Sequence, residues 1–223
     1  MNLIFPPLDN VIDVSSEKCV NFVVIENQRL FTAVLTDISN QMSGICGDAV
    51  LSDNGTPIDI SKKMEMISSF IPFDINRKTL INKLLKKIEG VMNDENNYLK
   101  TKELVAYNTS YLNSIIDNID FSVDYITDFD LSSILKSVNI KFSTDFSSLG
   151  EMLIEYMLNV IKLEGDKCFL LVNLADYLND EQRNTFCRNV LYNKLSAVII
   201  GARDFEMGNY ERKIIIDADL CVI

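Results

Sequence analysis

The clearest pattern in the chain is a pair of apolar runs separated by a polar, helix-forming segment. Cys168–Leu174 is almost continuously apolar, as expected of a strand that is covered on both faces. The polar segment begins at Asn179, which can cap a helix, and continues with Asp180 and Glu181, whose charges suit a first helical turn. Leu195–Ile200 is the second apolar run. The pattern predicts a strand, a crossover helix and a parallel strand, the building block of α/β domains that bind nucleotides or nucleic acids.

The same alternation of strand and helix patterns occurs elsewhere in the chain. Val20–Glu26 predicts a strand, and apolar residues recur at helical spacing through Asn27–Gln41. A glycine-containing stretch follows, in which Ala49–Leu51 predicts part of a hairpin. Phe146–Leu163 predicts a strongly apolar helix, and Lys213–Ile223 predicts a last strand.

The middle of the chain is helical and charged. Arg77–Glu89 and Lys100–Asp117 each place apolar residues at helical spacing, and the polar turn Asn93–Asn97 separates them. This order predicts an antiparallel helical hairpin that projects from the body. Leu131–Val138 predicts a further helix, and Ile140–Phe142 predicts a short strand.

The length and composition allow a body with an insertion. The chain has 223 residues, of which 48% are hydrophobic, which is ample for a core. We predict the α/β fold class, with an α/β head of residues 1–72 and 137–223 and an α-helical leg of residues 73–136.

Nothing in the sequence predicts a membrane span or an export signal. The apolar runs are far shorter than the roughly 20 residues that a span needs. The first residues, MNLIFPPLDN, have no basic region before an apolar stretch. We expect a cytoplasmic protein whose five scattered cysteines are buried reduced thiols, not a zinc site or a disulfide framework.

The absence of histidine narrows the possible chemistry. It removes the usual general base, the usual zinc ligand and every Ser-His or Cys-His arrangement. The net charge of −11 argues against a uniformly basic nucleic-acid binder but permits a local basic lining on an acidic particle.

The strand–helix–strand unit invites a nucleotide-hydrolase interpretation, but the phosphate-binding motif G-x-x-x-x-G-K-[ST] is absent. The residues before Cys168 are LEGDK, and the glycines of SGICGDA (Ser43–Ala49) have no lysine after them. Asn173 and Asp176 follow the buried strand, where a hydrolase often keeps a metal-binding acid. A capping or turn role also accounts for them.

One acidic segment is a candidate cation site. Between residues 117 and 130, five aspartates occur without a compensating Lys or Arg: Asp117, Asp120, Asp124, Asp128 and Asp130. A hard cation such as Ca²⁺, bound through oxygen ligands, would relieve their repulsion. The spacing is not that of the standard calcium loop, so a solvated acidic turn remains the alternative.

Several basic residues are candidate DNA contacts. They lie on the crossover helix, after its second strand and before the apolar helix: Arg183, Arg188, Lys194, Arg203, Lys136 and Lys141. Together they are able to form a face that contacts phosphates, and separately they are ordinary surface charges.

The order of several short motifs resembles the small adaptation-stage accessory protein of type II-A CRISPR systems. The opening MNLIFPPLDNVIDV is similar to that family's opening, and NFVVIENQRLFTAVL is similar to its first strand and helix. FIPFDINRKTLINKLLKKIE is similar to the entry into its helical leg, and LLVNLADYLNDEQ to a later strand–helix segment. The resemblance is collinear over nearly the whole chain.

The resemblance implies a nucleotide-hydrolase-like head without a nucleotide site, and an inserted helical leg. It further implies a homotetrameric ring that threads double-stranded DNA, prefers free ends, carries calcium and acts with the CRISPR integrase proteins and the RNA-guided nuclease. The family's basic residues fall on Lys136, Lys141, Arg188 and Arg203. Its acidic calcium-binding loop includes Asp120 and Asp124.

We therefore expect a non-enzymatic DNA clamp without sequence specificity. Two alternatives stay open, namely a nucleotide hydrolase with an unusual site and a protein scaffold of the adaptation complex that docks partners through the leg. The missing phosphate loop is the sequence observation against the first alternative.

Overall fold

A computed structural model describes residues 1–6, 11–126 and 131–223, and this part of the chain is a mixed α/β structure. It divides into two compact units. The first unit comprises Met1–Ile75 and Thr144–Ile223, and the second unit comprises Asn76–Ser143. The second unit therefore extends from residue 76 to residue 143, whereas we predicted a leg from residue 73 to residue 136.

The described residues form strands and helices in the following order. The strands are β1 (Asn2–Ile4), β2 (Ile12–Asp13), β3 (Val20–Ile25), β4 (Val50–Asp53), β5 (Thr56–Ile58), β6 (Met64–Ile67), β7 (Cys168–Val172), β8 (Ser196–Gly201) and β9 (Glu211–Ile216). The helices are α1 (Gln28–Met42), α2 (Ile60–Lys63), α3 (Lys78–Met92), α4 (Tyr98–Ile116), α5 (Leu131–Ser137), α6 (Leu149–Glu164) and α7 (Asp180–Tyr192). Among these helices, none has both the length and the apolar character that a membrane span requires.

The centre of the first unit is a five-stranded parallel sheet in the order β6-β7-β8-β3-β9. The predicted strand–helix–strand unit is confirmed, since β7 and β8 are parallel neighbours with Cys168 opposite Ser196, and α7 connects them. Asn179 caps α7 by accepting a hydrogen bond from the Gln182 amide, and the Gln182 side chain accepts from the Asn179 amide. All residues of β3 and β7 are buried. This explains the continuous apolar run of β7 and the largely apolar run of β3, in which Asn21 is the polar residue.

A second, antiparallel sheet in the order β2-β1-β4-β5 belongs to the same unit. The predicted hairpin around Ala49–Leu51 is β4–β5, whose turn uses Asn54 and Gly55 with φ of 48° and 78°. The core lies where this sheet, α1 and the parallel sheet meet, and it includes Leu3, Leu51, Ile38 and Leu170 among other buried residues.

The second unit contains α3, α4 and α5. The polar segment between α3 and α4 is a turn, in which the Thr101 hydroxyl donates to the Met92 carbonyl over 2.7 Å. Helix α3 packs against α5. Buried residues in the described part of this unit are few, namely Leu80, Leu85, Thr101 and Leu135.

One strand prediction was wrong, and another extended too far towards the C-terminus. Ile140–Phe142 is not a strand, because the Asn76 side chain bonds both Phe142 backbone groups: its oxygen accepts from the amide over 2.8 Å, and its NH₂ donates to the carbonyl over 3.2 Å. The run Lys213–Ile223 is not one strand. Strand β9 ends at Ile216, and the chain turns at Asp217. The last residues then fold back, so that Val222 pairs antiparallel with Ile216.

Candidate nucleic-acid interface

The connection between β3 and α1 leaves no space for a phosphate-binding loop. Only Glu26 and Asn27 separate the last residue of β3 from the first residue of α1. The Asn27 side-chain oxygen accepts a hydrogen bond from the Leu30 amide over 3.0 Å, so it takes one of the free amides of the helix start. Glu26 is exposed and adds a negative charge beside them. A nucleotide phosphate here would be repelled by the Glu26 carboxylate, and the two-residue connection is too short to surround the phosphate with backbone amides.

The carboxyl edge of the parallel sheet is also filled. In open α/β sheets this edge is the usual ligand site. Here the cavity at the ends of β3, β7 and β8 measures about 10 Å³, which is room for one water. Phe22, Asn173, Asp176, Arg203 and Phe205 are among its lining residues. Asn173 adopts a left-handed conformation, with φ of 59°, and opens the 3₁₀ turn Leu174–Tyr177, which agrees with the predicted turn role.

Arg183 departs from its predicted role as a phosphate contact. It is only 4% exposed, and its guanidinium donates to Glu211 over 2.7 Å, to Asp180 over 3.0 Å and to the Glu206 carbonyl over 2.7 Å. The guanidinium also lies 4.4 Å from the centre of the Phe205 ring. Since every edge of the guanidinium is occupied, we remove Arg183 from the candidate DNA-binding residues.

The acceptor of this arginine is a buried carboxylate. The Glu211 side chain is fully buried, and its second oxygen accepts from the Gly208 amide over 2.7 Å. The Cys187 thiol lies 3.9 Å from the same carboxylate. Burial, followed by the nearby negative charge, raises the pKa of Cys187, so this thiol stays protonated at neutral pH.

Arg188 and Arg203 remain candidate phosphate contacts. Both are exposed, and within the described ranges neither forms an ion pair with another residue of the chain. Arg188 lies on α7, five residues after the buried Arg183, and Arg203 lies just after β8. Lys194, by contrast, is 3.8 Å from Glu17, in a pair whose side chains are both largely exposed.

Lys136 and Lys141 lie in the second unit and are exposed. Lys136 is in the last turn of α5, and Lys141 follows that helix. The second unit holds nine Lys or Arg and nine Asp or Glu residues, so the formal charge of −11 belongs to the first unit. The unit that carries the two lysines is therefore formally neutral, whereas the unit that carries Arg188 and Arg203 is acidic.

The acidic segment is described only in part. Asp120 and Asp124 are exposed, whereas Asp128 and Asp130 lie outside the described residues. Within residues 1–6, 11–126 and 131–223, no three carboxylate or thiol side chains come together as a metal would require. Ca²⁺ takes six to eight oxygen ligands, so the two described aspartates fit it only as part of a larger set.

Comparison with known proteins identifies the family. The family model of the CRISPR-associated protein Csn2 (Cas_Csn2) matches residues 41–220. The chain belongs to the Csn2 family. This confirms the predicted resemblance to the type II-A CRISPR accessory protein.

One solved structure that the chain is similar to is remote in sequence. A solved structure described as an ATP-binding protein of an ABC transporter from Pyrococcus furiosus is 14% identical, with a TM-score of 0.38, and covers 96% of this chain and 94% of its own. A likeness at that TM-score supports no conclusion about fold or activity. No curated protein matches the chain.

Five cysteines in this Csn2-family chain are free, as predicted, but they are not all buried. Cys168 and Cys187 are buried, Cys19 is half-buried, and Cys46 and Cys221 are exposed. Burial raises the pKa of Cys168 to about 12. These two buried thiols therefore serve packing and not nucleophilic chemistry.

The sequence did not reveal that Arg183 is a buried side chain that binds groups of its own chain. The available signal was Asp180, three residues earlier on the same helix face, which predicts an ion pair within the helix. Glu211 lies 28 residues away, and nothing local marks it as the buried partner.

Proposed function

We propose that this Csn2-family chain is a non-enzymatic clamp that binds double-stranded DNA without sequence specificity during spacer acquisition. The observation that carries the proposal is the carboxyl edge of the parallel sheet. Its cavity of about 10 Å³ is too small for a nucleotide, and Arg203 is exposed beside it. A basic side chain at an edge that cannot hold a nucleotide suits contact with a phosphate backbone.

The proposed fold interpretation is a nucleotide-hydrolase-like head that has lost its nucleotide site. A five-stranded parallel sheet with helical crossovers supports it, as does the two-residue connection between β3 and α1. An ATP titration monitored by calorimetry is expected to show no binding heat. Saturable ATP binding would instead favour a divergent hydrolase.

We propose a homotetrameric ring as the DNA-binding form. Exposed apolar side chains on one helix of the second unit support self-association: Leu104, Tyr107, Tyr111 and Ile115 of α4 recur at spacings of three and four residues. The proposed partner of this face is a second copy of the chain. Sedimentation of the purified protein, with Ca²⁺ or with chelator, measures the mass directly.

Calcium is proposed to bind the acidic segment through Asp120, Asp124, Asp128 and Asp130. The support is the density of uncompensated carboxylates between residues 117 and 130. The double variant Asp120→Asn/Asp124→Asn is expected to lose calcium heat in calorimetry. Glu103→Gln, which removes one exposed carboxylate on α4, is the matched control.

The DNA proposal is tested by gel shift on linear and closed-circular duplexes, with Ca²⁺ or chelator. We expect binding to linear DNA with little sequence preference and a steep loss with salt, because phosphate contacts release counterions. Equal failure on all substrates at low salt would contradict the proposal.

The variant Lys141→Ala/Arg188→Ala separates the clamp from a protein scaffold. A clamp is expected to lose DNA affinity in this variant, whereas a scaffold that contacts only proteins never binds DNA measurably. We further propose that the assembled ring acts in spacer acquisition together with the CRISPR integrase proteins and the RNA-guided nuclease.

A further inference from the structure

The loop between β8 and β9, residues 202–210, is held by side chains from the elements around it. Arg183 of α7 donates to the Glu206 carbonyl and lies over the Phe205 ring. Lys213 of β9 donates to the Phe205 carbonyl over 2.8 Å and pairs with Asp204. The Phe205 ring meets Phe22 of β3 edge-on, with 5.0 Å between centroids. The loop is therefore tied to three separate elements.

These ties begin immediately after Arg203. The residue before Arg203 follows the end of β8, which is fixed in the sheet, and the residue after it is Asp204, which is paired with Lys213. Further along, the Gly208 amide donates to Glu211 over 2.7 Å. The backbone that carries Arg203 is thus held from both sides, while the Arg203 side chain is exposed. Such preorganisation lowers the entropy lost when a side chain binds its target.

Arginine suits the central position of this network better than lysine does. Its planar fork places Nε on Glu211, Nη1 on Asp180 and Nη2 on the Glu206 carbonyl, while its face contacts Phe205. A lysine ammonium has one nitrogen and no flat face, so it cannot span these acceptors at once. The buried Glu211 carboxylate also needs a buried cation nearby.

We infer that Arg183 is a positioning residue for DNA binding. It orders the 202–210 loop so that Arg203 is presented at the carboxyl edge of the sheet to a phosphate of the duplex. This inference rests on the proposed function, because it supposes that Arg203 contacts DNA. Arg183 itself is buried and does not touch the duplex.

The test is a double-mutant cycle on the full chain. Binding to a fluorescent linear duplex is measured by anisotropy over a salt series for Arg183→Lys, Phe205→Ala and Arg203→Ala, and for each of the first two combined with Arg203→Ala. Phe205→Ala loosens the loop while both partners of the buried ion pair, Arg183 and Glu211, stay in place. It therefore keeps the test valid if Arg183→Lys folds poorly. Met207→Ala, an exposed position in the same loop, is the control. Hydrogen exchange of the loop amides reports its order.

Each of the three single variants is expected to weaken binding by about threefold to tenfold, the scale of one phosphate contact. Arg203→Ala also lowers the salt slope by about 0.9 for each Arg203 that contacts a phosphate. The double variants are expected to bind no more weakly than Arg203→Ala alone, since the loop acts only through that residue. Met207→Ala binds like the unmodified chain.

The inference is overturned if the losses multiply in the double variants, or if Arg203→Ala binds normally. It is also overturned if Arg183→Lys and Phe205→Ala speed loop exchange but leave affinity unchanged. Failure of the unmodified chain to bind any duplex at low salt is a separate outcome, in which the proposed function fails and the inference falls with it.

Discussion

The two units of the chain bury their apolar residues to very different extents. The first unit contains many fully buried apolar residues, among which Leu153, Val160 and Phe169 have no exposed surface. In the second unit, large apolar side chains such as Tyr107 and Phe121 are 71% and 77% exposed. Amphipathic periodicity predicts a helix in both cases, but only burial converts it into stability. The first unit is therefore expected to carry the folding stability, and the second the capacity for association.

The largest expected difference between the units concerns two cations that lie over aromatic rings, because only the one in the first unit is also the partner of a buried carboxylate. Arg183→Met leaves the Glu211 carboxylate buried without its partner and is expected to lower the free energy of unfolding by about 3–5 kcal/mol. The counterpart in the second unit is Lys102, whose ammonium lies 5.6 Å from the Tyr98 ring centre on an exposed helix surface. Lys102→Met is expected to cost no more than about 1 kcal/mol. Urea unfolding followed by circular dichroism measures both, since the chain has no tryptophan.

One substitution made in both units sharpens the comparison. Leu153→Ala in α6 removes a side chain with no exposed surface and is expected to cost about 2–5 kcal/mol. Leu104→Ala in α4 truncates a side chain that is 42% exposed and is expected to change unfolding by about 0.5 kcal/mol or less. Equal losses in the same urea experiment would show that the second unit has a core of its own.

Association is the property in which the second unit is expected to dominate. Tyr107→Ser/Tyr111→Ser replaces two exposed aromatic residues of α4 and is expected to lower the solution mass while barely changing unfolding. Light scattering over a concentration series measures the mass. Tyr192→Ser, at an 85% exposed position of the first unit, is the control and should leave the mass unchanged.

The smallest predicted effect is a pH dependence in the first unit. The hydrogen bond from Lys213, followed by that from the Phe205 amide, lowers the pKa of Asp204 below its ordinary value of 3.8. This carboxylate therefore stabilises the fold above pH 3.8, and the contribution is lost as pH falls through its lowered pKa. Asp204→Asn is expected to be slightly less stable than the unmodified chain at pH 7, and the two should converge in strong acid. Melting curves at several pH values check this, with Glu103→Gln as the control for loss of an exposed carboxylate.

The fold was predictable where local rules decide it. The apolar runs gave β3, β7 and β8, and the cap at Asn179 gave the start of α7. The three-residue strand β1 and the four-residue strand β6 were missed, because they are too short for a periodic pattern.

The candidate site was less predictable, because tertiary contacts decide which charges are exposed. Arg183 and Arg188 are five residues apart on one helix, and the signal in the sequence that distinguishes them is Asp180, three residues before Arg183. Only the approach of Glu211 and Phe205 in three dimensions turns Arg183 inward. The DNA, calcium and ring predictions depend on the family resemblance and stay predictions.

The paired hydrogen bonds between Asn76 and Phe142 have a consequence for modularity. Asn76 lies where the inserted segment begins and Phe142 lies where it ends. Their donor and acceptor atoms are 2.8 and 3.2 Å apart, so the two ends of the segment are hydrogen-bonded to each other. A segment whose two ends meet can be excised, replaced or transplanted without stretching the host chain, since a short linker closes the gap. The helical insertion is thus a segment that can be exchanged as a unit. Its size and surface are able to diversify while the α/β body keeps its fold.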